Sequence, residues 1–334
     1  MLRLPEFTLH RPRTPEEAVS LFAEVGGDAR YVAGGTDLFP NMKRRQQTPS
    51  HVISLARIES LSGVRELPDG AFEIGAMTTL AELERHEALR RAHPAFVRAV
   101  REISTPLLRN TGTIGGNLLL DTRCTYYDQT LEWRESIDFC MKKDGAICWV
   151  APGSKRCYAV QSSDTVPVVT AIDAEVELLG PSGGRRVACA DLYRDDGIAY
   201  LTKEPGELLV SLRLQPPGGA RASYLKLRRR GSFDFPILGV GACLWFDGSL
   251  VARANVRIGG AGSWAIPATE TEKALVGREP TDEVLAEAAA LAMKPARAMD
   301  NTDLDARWRR KMAPIFVARA LAECRPESAR ASGR

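Results

Sequence analysis

The sequence predicts an α+β chain in three parts: a small α/β unit over residues 1–57, a mostly antiparallel α+β unit over 58–215 with a cysteine-rich insertion at 121–160, and a C-terminal domain over 220–325 made of a three-stranded antiparallel sheet plus helices. Three observations predict it. The apolar spacing switches between helical and alternating periods along the chain, which marks short strands and helices in turn. Pro216-Pro217-Gly218-Gly219 reads as a linker between two folded units. Residues 121 to 159 lose clear periodicity and gain polar, aromatic and cysteine residues, so this stretch requires a stabiliser of its own.

In order, Thr14-Pro15-Glu16-Glu17 is a helix start, with a hydroxyl cap, proline at the first helical position and a glutamate placed for a capping box; that helix stops near Gly26-Gly27. An apolar run at 29–33, the loop Gly34-Gly35-Thr36-Asp37 and a strand-like run at 51–55 complete a strand, helix, strand, strand unit. From Val64, two strand-like runs flank Pro68-Asp69-Gly70. A second capping box at Thr79 and Glu82 then opens a helical stretch through Ile103. The loop Thr111-Gly112-Thr113-Ile114-Gly115-Gly116-Asn117 follows, and alternation returns at 166–179 and 208–214. Beyond the linker come strand-like stretches at 222–228, 237–246 and 250–258, then a mainly helical end. Trp308-Arg309-Arg310-Lys311 reads as a solvated charge run or a partner contact, with Pro314 close behind it leaving the helix start open. Residues 326–334 read as a flexible tail.

Forty-five basic and 42 acidic residues in 334 set up no one-signed field of the kind that captures nucleic acid or an anionic membrane. The opening MLRLPEFTLHRP lacks the apolar run of a secretory signal, and no stretch has the roughly 18 uncharged apolar residues needed to span a bilayer. A cytoplasmic location is expected, where seven cysteines argue against a disulfide framework. His10, His51, His86 and His93 share no spacing, and His86 and His93 are expected at the surface beside a helix break. With no H-E-x-x-H or G-x-S-x-G, no catalytic side chain is assigned. Electron transfer is the chemistry that remains.

Cys124, Cys140, Cys148 and Cys157 fall within 34 residues, separated by 15, 7 and 8 residues. Four thiolates are the usual complement of an iron-sulfur cluster, whose ligand bonds can replace a missing apolar core. Zinc is the competing metal, although structural zinc sites usually draw ligands in close C-x2-C pairs, absent here. Four unliganded buried thiols are the third reading. Cys189, Cys243 and Cys324 lie apart and read as packing residues. Neither glycine loop is a G-x-G-x-x-G fingerprint or a P-loop. Paired glycines nonetheless let backbone N–H groups approach an anion such as a pyrophosphate, with the hydroxyls of Thr36 and Thr113 and the amide of Asn117 as added donors. Plain tight turns are the alternative.

Val32-Ala33-Gly34-Gly35-Thr36-Asp37-Leu38, then Thr113-Ile114-Gly115-Gly116-Asn117-Leu118, then Ser163-Asp164 ahead of Pro167 and Tyr224-Leu225-Lys226, together resemble the FAD-binding subunit of the xanthine dehydrogenase family of molybdenum enzymes. The strings Asp121-Thr122-Arg123-Cys124-Thr125 and Arg156-Cys157-Tyr158-Ala159 are similar to one branch, the beta subunit of 4-hydroxybenzoyl-CoA reductase, whose loop carries a 4Fe-4S cluster. The resemblance implies FAD held by Tyr31, Val32, Ala33, Gly34, Gly35, Thr36, Asp37, Leu38, Thr113, Ile114, Gly115, Gly116 and Asn117, with Ile103, Asp164, Leu209 and Lys226 as further contacts. It implies Cys124, Cys140, Cys148 and Cys157 as ligands of a 4Fe-4S cluster. It also implies a molybdopterin large subunit and a 2Fe-2S small subunit as partners in a dimer of heterotrimers, and a ferredoxin-like donor for reductive dehydroxylation of an aromatic acyl-CoA. A molybdenum hydroxylase acting on a heterocycle or aldehyde, or a zinc-stabilised binding protein without redox function, are the alternatives.

Overall fold

In the computed structural model, which describes residues 2–326, the chain opens with β1 (Thr8–His10), α1 (Pro15–Val25), β2 (Ala29–Val32), α2 (Leu38–Lys43) and β3 (His51–Ser54). The three strands form a parallel sheet in the order β1-β3-β2. The capping signals act as expected: the Thr14 hydroxyl accepts from the Glu17 N–H, and Gly26, at φ 81°, ends α1. The helix α2 goes beyond the expected elements and starts directly after the first glycine loop.

The second unit contains β4 (Val64–Glu66), β5 (Phe72–Gly75), α3 (Leu80–Arg85), α4 (Glu87–Ala92), α5 (Pro94–Glu102), α6 (Pro106–Arg109), α7 (Ile114–Leu118), α8 (Leu131–Ser136), α9 (Val166–Ala171), β6 (Glu175–Gly180), β7 (Gly183–Ala188) and β8 (Leu208–Leu214). Its five strands pair antiparallel in the order β4-β5-β8-β6-β7. The helical stretch after the Thr79–Glu82 capping box is three helices, broken at His86 and His93. His93 is not at the surface: it is buried against the edge of the Phe72 ring, and burial pushes its pKa down to about 4, so the ring is neutral near pH 7. The run at 166–179 also divides. Its first half is the fully buried helix α9, because Pro167 suits a first helical turn and cannot donate to a central ladder. The strand β7 escapes a pattern reading because its Gly-Gly-Arg-Arg start is exposed on a sheet edge.

The C-terminal domain comprises β9 (Arg221–Leu227), β10 (Leu238–Asp247), β11 (Leu250–Gly259), β12 (Ile266–Pro267), α10 (Thr269–Leu275), α11 (Asp282–Ala290) and α12 (Ala306–Glu323). The expected three strands are present, and the two-residue β12 adds a fourth at the β11 edge. The helix α12 continues through Pro314, and Arg309 is not solvated. Its guanidinium reaches inward to the carbonyls of Gly260, Met299 and Ile237, so the basic run supplies an internal strut. The expected tail lies outside the described residues beyond Pro326.

The second unit and the C-terminal domain meet where α9 crosses β10 and β11. A Cβ on Gly241 would lie 2.3 Å from the Pro167 carbonyl oxygen, so glycine is what permits that approach. The main core of the second unit accordingly includes Tyr224 of β9. Among the described residues no helix is long and apolar enough to cross a membrane.

Candidate cofactor site

The two glycine loops touch. A Cβ on Gly34 would lie 1.9 Å from the carbonyl oxygen of Thr111, and one on Gly35, at φ 70°, would enter the Phe39 ring. The N–H groups of Gly34, Gly35, Thr36 and Asp37 have no acceptor among the described residues. Four consecutive unpaired donors ahead of a short helix form a cradle suited to an anionic group. In the second loop the donors are engaged internally: Ile114 N–H donates to Thr78 (3.1 Å), Gly115 to Ala76 (2.9 Å), Gly116 to the Thr113 hydroxyl (3.1 Å) and Asn117 to the Thr113 carbonyl (3.0 Å). The expectation that both loops offer consecutive N–H groups is therefore corrected. The first loop presents donors, and the second braces it. Gly34→Ala is expected to lower stability by about 2–4 kcal/mol, because rigid backbone meets the added carbon. Denaturant unfolding measures it, and an unchanged midpoint would refute the close approach.

Asn117 anchors the next segment. Its Oδ1 accepts from the Ser163 hydroxyl (2.6 Å) and from the Thr165 hydroxyl (2.6 Å), presenting Asp164 to the C-terminal domain. The Asp164 carboxylate accepts from Tyr224 Oη at 2.6 Å and from Lys226 Nζ at 2.9 Å, and Lys226 also donates to the carbonyls of Glu102 and Asp234, each at 2.8 Å. Both charges are buried, with side chains 4% and 1% exposed. Burial drives the Asp164 pKa up to about 6 against the pull of Lys226. All three ammonium protons of Lys226 are engaged within the protein, so this pair clamps the two domains together.

The other expected contacts divide by environment. Ile103 and Leu209 lie in the main core, Ile103 capping α5 with its carbonyl toward Arg109 (2.9 Å) and Leu209 opposite Leu178 in the sheet. Tyr31 donates to the Gly206 carbonyl (2.7 Å), and Val32 and Leu38 pack with Met42 and Val52. These side chains are engaged in internal packing and hydrogen bonds. Ser163, Thr165 and Tyr224 join them through hydroxyls that no apolar period marks. Arg123 is the further addition: its guanidinium pairs with Asp37 and lies 4.1 Å from the Phe235 ring centre.

The insertion gathers its cysteines. Cys124, Cys140, Cys148 and Cys157 are all free and buried, and three of them share one apolar cluster with Tyr127 and Ala159, flanked by Met141 and Trp149. Burial pushes the Cys124 thiol up to about 12, and the other three sulfurs add to that rise; Cys157 is pushed up to about 11. The Ala159 N–H points to the Cys157 sulfur at 3.4 Å. Lys142, held by Asp121, Thr122 and the Gly197 carbonyl at 2.7–2.8 Å, favours the Cys157 thiolate. Among the described residues no three His, Cys, Asp or Glu side chains are spaced to hold a metal ion. A single zinc would need its sulfurs about 2.3 Å from one point. A four-iron cluster is wider and sets its ligands further apart. Cys189, Cys243 and Cys324 are buried separately, as packing residues.

Comparison with protein families decides the relationship. Residues 5–216 match the FAD binding domain in molybdopterin dehydrogenase, and residues 222–324 match the CO dehydrogenase flavoprotein C-terminal domain. The chain belongs to this flavoprotein family. It is 33% identical over 283 residues to the aldehyde oxidoreductase FAD-binding subunit PaoB of Escherichia coli, covering 80% of this chain and 85% of the relative. It is 31% identical over 316 residues to the carbon monoxide dehydrogenase medium chain of Afipia carboxidovorans, covering 94% and 95%. Among solved structures, the carbon monoxide dehydrogenase from Hydrogenophaga pseudoflava that lacks the Mo-pyranopterin moiety matches 96% of this flavoprotein and 98% of its own chain, with a TM-score of 0.79 at 27% identity. The first glycine loop, with its open N–H groups and no room for a Cβ at Gly34, fits the FAD of this flavoprotein family.

Proposed function

We propose that this flavoprotein is the electron-transfer subunit of a molybdenum oxidoreductase, with FAD along its glycine loops and a 4Fe-4S cluster on Cys124, Cys140, Cys148 and Cys157. The observation that carries the reading is the burial of four free thiols, three of them in one apolar cluster, within an insertion whose neck residue, Arg123, pairs with the first glycine loop. FAD exchanges electrons in pairs or singly and the cluster exchanges them singly, so together they relay electrons between a soluble partner and a distant redox centre. The residues of the chain bind, brace and exclude water. The Gly34 to Asp37 N–H groups would hold the pyrophosphate, Asn117 fixes the Ser163–Thr165 segment, and Asp164 with Lys226 holds the C-terminal domain in place. Tyr127, Met141, Trp149 and Ala159 keep water from the sulfurs.

The named relatives are an FAD-binding subunit and a medium chain, which supports assembly with further subunits; a molybdopterin large subunit and a 2Fe-2S small subunit, in a dimer of heterotrimers, complete the proposed assembly. The cysteine insertion favours the reductive reading: a ferredoxin-like donor supplies electrons, and an aromatic acyl-CoA loses its phenolic hydroxyl on the large subunit, as in 4-hydroxybenzoyl-CoA reductase. A second reading, an oxidising hydroxylase passing electrons outward, is favoured by the aldehyde and carbon monoxide enzymes among the relatives. The purified complex separates the two. Consumption of 4-hydroxybenzoyl-CoA with a strong reductant is expected under the first, and dye reduction by an aldehyde or heterocycle without acyl-CoA turnover would replace it with the second. A colourless subunit with zinc and without iron or sulfide would overturn both.

A further inference from the structure

We propose that Arg123 is a positioning residue that neutralises Asp37 and so fixes the first glycine loop for the FAD pyrophosphate, joining the flavin site and the cysteine insertion in one ion-pair network; the inference rests on the flavin reading of that loop. Arg123 stands immediately before Cys124 and closes the neck of the insertion. Its N–H donates to the Val160 carbonyl at 2.8 Å, and its carbonyl accepts from the Val160 N–H at 2.6 Å. The side chain crosses from there to Asp37, has Asp128 at 3.6 Å, and lies under the Phe235 ring. It thus touches both units of the FAD-binding half and the C-terminal domain.

The electrostatics give this contact a consequence. Asp37 follows directly on the open N–H groups of Gly34, Gly35 and Thr36, so a pyrophosphate bound by those groups would lie near a carboxylate. Asp121 and Asp128 add further negative charge around it, and Arg123 is the strongest opposing influence on Asp37. Lys142 is committed to Asp121 and Arg44 to Asp128. Without the guanidinium, the carboxylate would keep only the neutral Asn41 amide as a donor (3.0 Å) and its charge would oppose the phosphates, and like charges at close range disfavour binding strongly.

FAD binding to the purified complex, followed by quenching of flavin fluorescence on reconstitution, tests this. Arg123→Ala is expected to weaken FAD binding by about tenfold or more, and Arg123→Lys by less, because a point charge keeps the Asp37 pair and loses the planar stack on Phe235. Adding Asp37→Asn to Arg123→Ala is expected to restore most of the affinity, since it removes the charge that Arg123 masks. Rescue by an uncharged residue is a result that a merely structural role would not give. Iron and sulfide are measured in parallel. Wild-type affinity in Arg123→Ala would overturn the inference, as would a loss of FAD and iron together that Asp37→Asn leaves unrepaired. A wild-type complex unable to bind FAD would instead remove the flavin reading itself.

Discussion

Serine at Cys124 or Cys157 is expected to reduce the iron and labile sulfide of the isolated subunit from about four each per chain to near zero. Burial holds Cys124 and Cys157 protonated at neutral pH, at pKa values of about 12 and 11. Cluster assembly must displace those protons, so iron uptake weakens as the pH falls. Beside the hydrogen bonds of Gln46, Arg134 and Lys142 and one apolar cluster, regular secondary structure is sparse in this insertion. It has one six-residue helix, and Asp138, Phe139 and Asp144 around Cys140 adopt positive φ, a conformation that ligand bonds would hold in place. Limited proteolysis within residues 121–160 should therefore accelerate together with the loss of iron. Cys243→Ser is the control, because Cys243 lies in the β10 core and its variant should keep full iron. A wild-type subunit free of iron, or a Cys124→Ser variant with wild-type iron content, would refute the cluster.

Lys226→Met is expected to cost about 3–5 kcal/mol of stability near pH 8, the usual consequence of leaving a buried charge without its partner. Tyr224 alone would remain beside Asp164. The pH dependence has a definite sign. The folded pKa of Asp164, about 6, lies above its ordinary value of 3.8, so the folded state holds this proton more tightly than the unfolded chain does. The contribution of Asp164 to stability is complete below about pH 4 and declines as the pH rises through about 6. Removing Lys226 raises that pKa further and carries the decline to higher pH. Denaturant unfolding at pH 5 and pH 8 should thus show a smaller deficit at the lower pH, and Asp164→Asn combined with Lys226→Met should recover part of the loss. Equal midpoints for wild type and Lys226→Met at pH 8 would mean that the pair does not clamp the domains.

Capping boxes, glycine loops and alternating runs are local signals, and they were legible in the sequence. The helix α1, strands β2 to β5, the capping box of α3 and the strands β9 to β11 follow from them, because each depends on hydrogen bonds or side-chain period within a few residues. What was not legible depends on partners far along the chain. The alternation at Val166 fits a buried helix as well as a strand until Gly241 and Gly259 bring β10 and β11 against Pro167. His93 and Arg309 look like surface residues until Phe72 covers one and three distant carbonyls receive the other.

The amino-acid sequence by itself determined the order of the units, the two glycine loops and the four thiols of the insertion, since residue type and spacing are properties of the chain. Only the tertiary structure decided which loop offers free N–H groups, that Lys226 is engaged with Asp164, and that Arg123 ties Asp37 to the neck of the cysteine insertion. The reason is physical: a donor, a charge or a thiol acquires its function from what lies within a few ångströms of it, and those neighbours here come from residues dozens of positions away.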